Sequence, residues 1–152
     1  LKEIIDHHIS GQMKIAPEHT SDEVLHHMGK PGKQSLIEFK KMFDDLNKES
    51  GKKQFLTYYL IAAHPGCKES HMHELKQFTT HELKINPEQA QVFTPTPGTY
   101  SAVMYYTELD PFTKKKIFVE KDTLRKERQK EIVVAKKSFC KTKQNSTFGM
   151  QG

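Results

Sequence analysis

The stretch that decides the fold is QFLTYYLIAA, residues 54–63. It is a nearly continuous run of apolar and aromatic side chains, and it lacks the alternation that marks a strand with one solvated face. The loop HPGCKES, residues 64–70, follows it directly. A short apolar run that ends at a Pro-Gly loop fits a strand buried on both faces, as in a parallel sheet.

The segments around this strand predict parallel crossovers. QMKIA, residues 12–16, predicts a strand stopped by Pro17, and QAQVFTPTPGT, residues 89–99, predicts a third strand that runs into a loop. Helical spacing of apolar residues marks residues 35–50, capped by Ser35, and residues 70–84. The resulting βαβαβ order predicts an α/β fold with about three parallel strands.

The charge of the chain is concentrated near its C-terminal end. Residues 113–143 carry 12 Lys and Arg against 4 Asp and Glu, a net charge of +8, whereas residues 1–112 carry 12 against 15, a net charge of −3. We therefore divide the chain into 1–112 and a basic extension, 113–152. In the extension KIFVE, residues 116–120, predicts a strand and residues 121–137 a helix, whereas residues 138–152 have few apolar anchors and are expected to be disordered.

Cysteine usage and hydropathy favour a cytoplasmic protein. The two cysteines, Cys67 and Cys140, form no CxxC pattern, so free thiols in a reducing compartment are expected. No apolar run reaches the roughly 20 residues that a membrane helix needs. Residues 1–6 do not look like a signal peptide. Leu1 in place of Met indicates a piece cut from a longer chain.

The three predicted strands end in APEHT, AAHPG and FTPTPGT. Ligand sites of parallel α/β folds lie at the carboxyl ends of the strands. These ends carry Glu18, His19, His64 and Thr94, which makes them the candidate site residues. His71 and His73 are two positions apart and do not share a helix face, so no metal site is predicted there.

The ordered motifs KIAPEHTSDEVLHHMGKPG, YYLIAAHPGC and VFTPTPGTYSAVMYYTELDPF resemble the second half of YgiQ-type radical S-adenosylmethionine proteins. The resemblance to radical methylthiotransferases is more distant. The YgiQ-type resemblance implies that this chain forms the last three strands of a partial (β/α)6 barrel, in other words half of a TIM-type barrel. In the family a CxxxCxxC loop in the other half binds a 4Fe–4S cluster, which reduces S-adenosylmethionine to a 5′-deoxyadenosyl radical.

This chain lacks the cluster loop, so the resemblance implies an inactive fragment that needs the missing N-terminal half of the barrel. No cofactor is expected on the chain alone. By the resemblance, Lys14 and Glu18 contact the methionine carboxylate and the ribose of S-adenosylmethionine, and His64 and Thr94 lie on loops beside the cofactor. Each has a plainer alternative: solvent exposure for Lys14 and Glu18, a backbone hydrogen bond for His64, and turn geometry for Thr94.

Two further expectations concern partners. A half barrel leaves strand edges and an apolar face uncovered, so dimerisation or an exchange of elements is expected. The alternative function is a basic RNA-binding module that uses residues 113–143, because Lys and Arg bind phosphates. The plainer interpretation of that segment is a solvated, mobile end.

Overall fold

The computed structural model describes residues 1–134, and it has an α/β fold built on a three-stranded parallel sheet. Residues 135–152, which include Cys140 and the predicted disordered end, lie outside the described residues. The elements in chain order are α1 (Lys2–His7), β1 (Gln12–Glu18), α2 (Asp22–Met28), α3 (Lys33–Glu49), β2 (Phe55–Ala62), α4 (Glu69–His81), β3 (Gln91–Val92), α5 (Tyr100–Thr107) and α6 (Thr123–Val133).

The strands lie side by side in the order β1-β2-β3, all parallel. This is the arrangement of consecutive strands in a β/α barrel, in which each crossover carries a helix. The prediction that Pro17 stops β1 is wrong. The strand continues to Glu18 through an irregularity in register between Ile15 and Glu18. Proline lacks the N–H that a regular ladder needs, and the irregular pairing accommodates it.

The buried core lies on one face of the sheet. Leu60 and Ala62 of β2 pack there with Met72 and Leu75 of α4 and with Val133 of α6, all of them at most 1% exposed. The prediction of burial on both faces of β2 holds only in part: Phe55, at its start, is 55% exposed. The core cluster reaches only the second half of the strand, so its first half has less cover.

Local side-chain contacts and turns decide where several elements begin or end. α3 begins at Lys33 rather than after Ser35, because Asp22 Oδ1 accepts a hydrogen bond from Lys33 N, 2.8 Å away. β3 has only two paired residues, and the TPTPG segment after it carries prolines that cannot donate to a ladder. Gly29, with φ of 66°, ends α2 in the left-handed conformation that favours glycine.

Residues 113–134 are part of the packed structure. The predicted strand in KIFVE is wrong: this segment has only an isolated bridge between Leu109 and Lys116. Asp122, which caps α6 through a 2.9 Å bond from Arg125 N, starts the helix that the sequence predicts. Val133 enters the core, so the first part of the basic segment packs against the sheet domain. Within residues 1–134, no helix is long and apolar enough to cross a lipid bilayer.

Candidate functional site

A cavity of about 480 Å³ opens at the carboxyl edge of the sheet. Its lining combines the ends of β1 and β2 with the loop after β3 and the start of α5. Three of the five candidate residues, Glu18, His64 and Thr94, lie on its wall, and His19 and Lys14 do not. The volume falls in the range of roughly 300–1,000 Å³ that small-molecule sites occupy.

Glu18 is held at the end of β1 by Lys30. Lys30 Nζ lies 3.2 Å from Glu18 Oε1 and donates a 2.9 Å hydrogen bond to the carbonyl of Ala16. Both charged side chains are less than a third exposed. Glu18 has φ of 65°, a left-handed conformation that is uncommon for a residue with a side chain. The carboxylate on the cavity wall is therefore an oriented acceptor with its own counter-ion.

His64 is the most buried polar residue of the cavity wall, with 3% of its surface exposed. Its Nδ1 lies 2.8 Å from the carbonyl oxygen of Pro65, and its Nε2 lies 2.8 Å from Ser101 Oγ. Phe93 packs edge-on against the ring at 4.9 Å between centroids. Burial lowers the pKa of His64 to about 4, because an apolar site disfavours the imidazolium. The ring is neutral at neutral pH.

Thr94 is exposed at the mouth of the cavity, on the loop after β3. Thr99, which follows that loop, caps α5: its Oγ1 accepts a hydrogen bond from Ala102 N and donates one to the carbonyl of Thr96. The cap explains why the TPTPGT turn leads directly into a helix. It also places Ser101, the second residue of α5, on the cavity wall.

Lys14 lies apart from the other candidates. Its ammonium nitrogen is 5.6 Å from the centroid of the Tyr59 ring, and its side chain borders a separate groove near the start of the strands. Lys14 pairs with Thr57 in the sheet, four residues before Glu18 along β1. The structure thus brings together Glu18, His64 and Thr94 but not Lys14.

His19, which follows β1, is buried and does not line the cavity. His19 is 1% exposed behind the sheet edge, where its Nδ1 accepts a hydrogen bond from Ser21 N and its Nε2 lies 3.7 Å from Cys67 Sγ. Burial, together with His71 and His64, lowers the pKa of His19 to about 3. Burial raises the pKa of Cys67 to about 12, so its thiol stays protonated and poorly reactive.

The residues present do not fit an iron–sulfur cluster. Ordinary ligation of a 4Fe–4S cluster needs four cysteine thiolates, and the chain has two cysteines. Cys67 is buried against Met72 and Gln129 in the core, where it is a packing residue. Within residues 1–134, no three or more His, Cys, Asp or Glu side chains gather as metal ligands would.

The cavity wall combines hydrogen-bonding groups with apolar surface. Glu18 provides an acceptor for hydroxyl or ammonium groups, and the wall adds the hydroxyls of Thr94 and Ser101. Ile61 and Phe93 supply apolar surface beside them. Sequence reasoning missed Ser101, although its position just after TPTPGT at the start of a helix is a signal that could have found it.

Half of the eight Lys and Arg residues in the described part of the basic segment, residues 113–134, lie beside carboxylates. Four of its cations lie within 4.0 Å of carboxylates: Lys121 beside Glu108, Arg125 beside Glu120, Arg128 beside Glu69 and Lys130 beside Glu127. A fifth, Lys126, donates to the Tyr105 hydroxyl at 2.9 Å. Part of the positive charge of residues 113–134 is therefore paired with carboxylates of the protein itself.

Comparisons with known proteins place the chain within longer relatives. Residues 88–150 match the family described as "Domain of unknown function (DUF3362)", which spans β3, α5 and α6. Over 137 residues the chain is 65% identical to a UPF0313 protein of Fusobacterium nucleatum, covering 90% of the chain and 24% of the relative.

Two clostridial relatives give the same result. UPF0313 proteins of Clostridium botulinum and Clostridium perfringens are 46% and 42% identical over 132 residues, 87% of this chain and 20% of each relative. The chain thus spans between a fifth and a quarter of the length of the curated relatives it matches. Its homologues are UPF0313 proteins.

Proposed function

We propose that this chain is the C-terminal part of a YgiQ-like radical S-adenosylmethionine protein of the cytoplasm, and that it forms one wall of the cofactor cavity. The observation that carries the proposal is the cavity itself. It collects Glu18, His64 and Thr94 at the carboxyl ends of parallel strands, the position where such folds bind ligands.

The homology supports the same interpretation. UPF0313 is the family of YgiQ-like radical S-adenosylmethionine proteins, and the matched segment is a minor part of each relative. In the parent, S-adenosylmethionine and a 4Fe–4S cluster would supply the radical chemistry. This chain would contribute binding groups. The Glu18 carboxylate would accept from hydroxyl or ammonium donors, and Thr94, on the loop after β3, would line the mouth of the cavity.

The chain alone is proposed to be inactive, because it lacks the cysteines that hold the cluster. The missing N-terminal half of the barrel is its proposed partner, and a homodimer is the proposed substitute when that half is absent. Within the described residues, the first strand, β1, pairs only with β2. Its other edge is therefore available to either partner.

Two measurements test this proposal. A CxxxCxxC motif should lie upstream in the same reading frame; its absence from the preceding few hundred codons would refute the parent enzyme. Calorimetric titration of the chain with S-adenosylmethionine should give a dissociation constant no tighter than about 1 mM, because one wall offers few of the contacts of a closed site. Micromolar affinity would contradict the dependence on a missing half.

The alternative, RNA binding by residues 113–143, stays a prediction. On this alternative, we expect RNA binding that weakens with salt and is lost when residues 113–143 are removed. Pairing of Lys121, Arg125, Arg128 and Lys130 with carboxylates lowers the free charge of its described part. RNA binding that survives removal of the segment would rule out this mode of recognition.

A further inference from the structure

The hydrogen bonds of His64 fix its tautomer. Nδ1 lies 2.8 Å from the carbonyl oxygen of Pro65, which can only accept, so Nδ1 carries the proton. Burial keeps the ring neutral at neutral pH by lowering the pKa of His64 to about 4. A neutral imidazole has one protonated nitrogen, so Nε2 presents a lone pair.

The polarity of Ser101 follows from that tautomer. Ser101 Oγ lies 2.8 Å from Nε2 of His64 and must donate its single proton to it. A hydroxyl whose proton is committed keeps only acceptor lone pairs for other partners. The neighbouring Thr99 hydroxyl is already used twice, as donor to Thr96 O and as acceptor from Ala102 N. Ser101 Oγ is therefore an oriented acceptor on the cavity wall, as the Glu18 carboxylate is.

We propose that Ser101 is a ligand-contacting, specificity-determining residue of this cavity, whose Oγ accepts a hydrogen bond from a hydroxyl or amino group of a nucleoside, and that His64 is the positioning residue that fixes this polarity. The nucleoside assignment rests on the proposed function. Ser101 and Glu18 both present acceptors, so the wall selects the donor-rich part of a ligand and disfavours a carbonyl or carboxylate at the same place.

The first test is the tautomer, which needs no ligand. Long-range proton–nitrogen NMR of the chain labelled with ¹⁵N-histidine distinguishes a protonated from an unprotonated ring nitrogen. His64 should show a protonated Nδ1 and an unprotonated Nε2 at pH 7. A protonated Nε2 or a fully protonated ring would overturn the inference, because Ser101 could then donate to a ligand.

The second test compares Ser101→Ala with Ser70→Ala. Ser70 is an exposed residue at the same position, the second, of helix α4, so it controls for the loss of a hydroxyl in a first turn. The probe is S-adenosylmethionine, followed by amide chemical shifts. Ser101→Ala should reduce the affinity roughly three- to tenfold, the effect of one neutral hydrogen bond. Ser70→Ala should leave the affinity unchanged.

The donor group is then identified with adenosine and 2′,3′-dideoxyadenosine. If Ser101 accepts from the 2′- or 3′-hydroxyl, Ser101→Ala should weaken adenosine binding and leave binding of the dideoxy compound unchanged. If it accepts from the amino group, binding of both nucleosides and of S-adenosylmethionine, which has no free 5′-hydroxyl, should weaken. Equal affinities of Ser101→Ala and Ser70→Ala would refute the inference and leave the proposed function standing. No detectable binding of either nucleoside by the unsubstituted chain would also refute the inference, whereas the proposed function is refuted separately, by the absence of an upstream CxxxCxxC motif.

Discussion

The two faces of β2 have opposite surroundings. Leu60 and Ala62 point into the core beneath α4 and α6 and are at most 1% exposed. Tyr59 and Ile61, which alternate with them, line the cavity and stay partly exposed. The core face is completed by the chain's own helices. The cavity face carries the polar groups, so stability and the proposed binding are assigned to different sides of one strand.

The largest expected effect separates these faces directly. Leu60→Ala should lower the free energy of unfolding by about 2–5 kcal/mol, because it leaves a cavity in a closely packed core. Ile61→Ala, on the cavity face, should cost about 1 kcal/mol because part of that side chain is already solvated. Urea denaturation followed by circular dichroism measures both. Similar losses for the two variants would remove the distinction between the faces.

Lowering the pH tests whether the buried residues His64 and His19 are neutral in the folded protein. The folded-state pKa values of His64 and His19, about 4 and about 3, lie below the unfolded value near 6.5. Their neutral forms therefore stabilise the fold fully above pH 6.5, and this contribution is lost as the pH falls toward those values. Between pH 7 and pH 5 the free energy of unfolding should drop by roughly 2 kcal/mol per histidine. Urea titrations that give constant or rising stability would contradict their neutral burial.

Gln129 joins the basic helix to the core face. Its Oε1 accepts a 3.1 Å hydrogen bond from Ala63 N, just where β2 ends, and the residue is 3% exposed. Gln129→Ala leaves that buried N–H without its partner and should cost about 1–3 kcal/mol. Gln77→Ala, on the exposed side of α4, is the matched control and should cost less than about 0.5 kcal/mol. Thermal melts that rank the two variants equally would show that α6 is not held this way.

The smallest effect concerns the ion pair on the cavity wall. Lys30→Ala removes the partner of Glu18 and of the Ala16 carbonyl and should cost about 0.5–1 kcal/mol. Lys48→Ala, whose 4.0 Å pair with Asp45 is well exposed, should cost close to zero. Chemical denaturation in low and high salt resolves the difference. An equal cost would mean that Glu18 is oriented by its backbone alone.

The sequence predicted the core elements well because their signals are local. The apolar run placed β2 within one residue at each end, and the βαβαβ order predicted the parallel sheet. The prediction failed where a long-range contact decides the outcome. Asp22 sets the start of α3, and KIFVE forms backbone hydrogen bonds with Glu108 and Gly66 in an irregular segment instead of pairing as a strand.

The candidate site was predictable only as far as the strand-end rule reaches. That rule identified Glu18, His64 and Thr94, which the fold brings to one cavity. It also identified His19, which is buried and does not line that cavity. Lys14 came from the family resemblance, and its side chain borders a separate groove. It also missed Ser101, because the contact with His64 joins residues 37 positions apart and depends on the turn before α5.

Mapping the S-adenosylmethionine contact by amide chemical shifts tests the central claim most directly. We predict weak binding, with the largest shifts at Glu18, His64, Thr94 and Ser101 around the carboxyl edge of the sheet, and little change at Lys14 or in the core behind β2. Shifts centred on Lys14 and the groove beside it, or no shift at any residue, would contradict the assignment of this cavity.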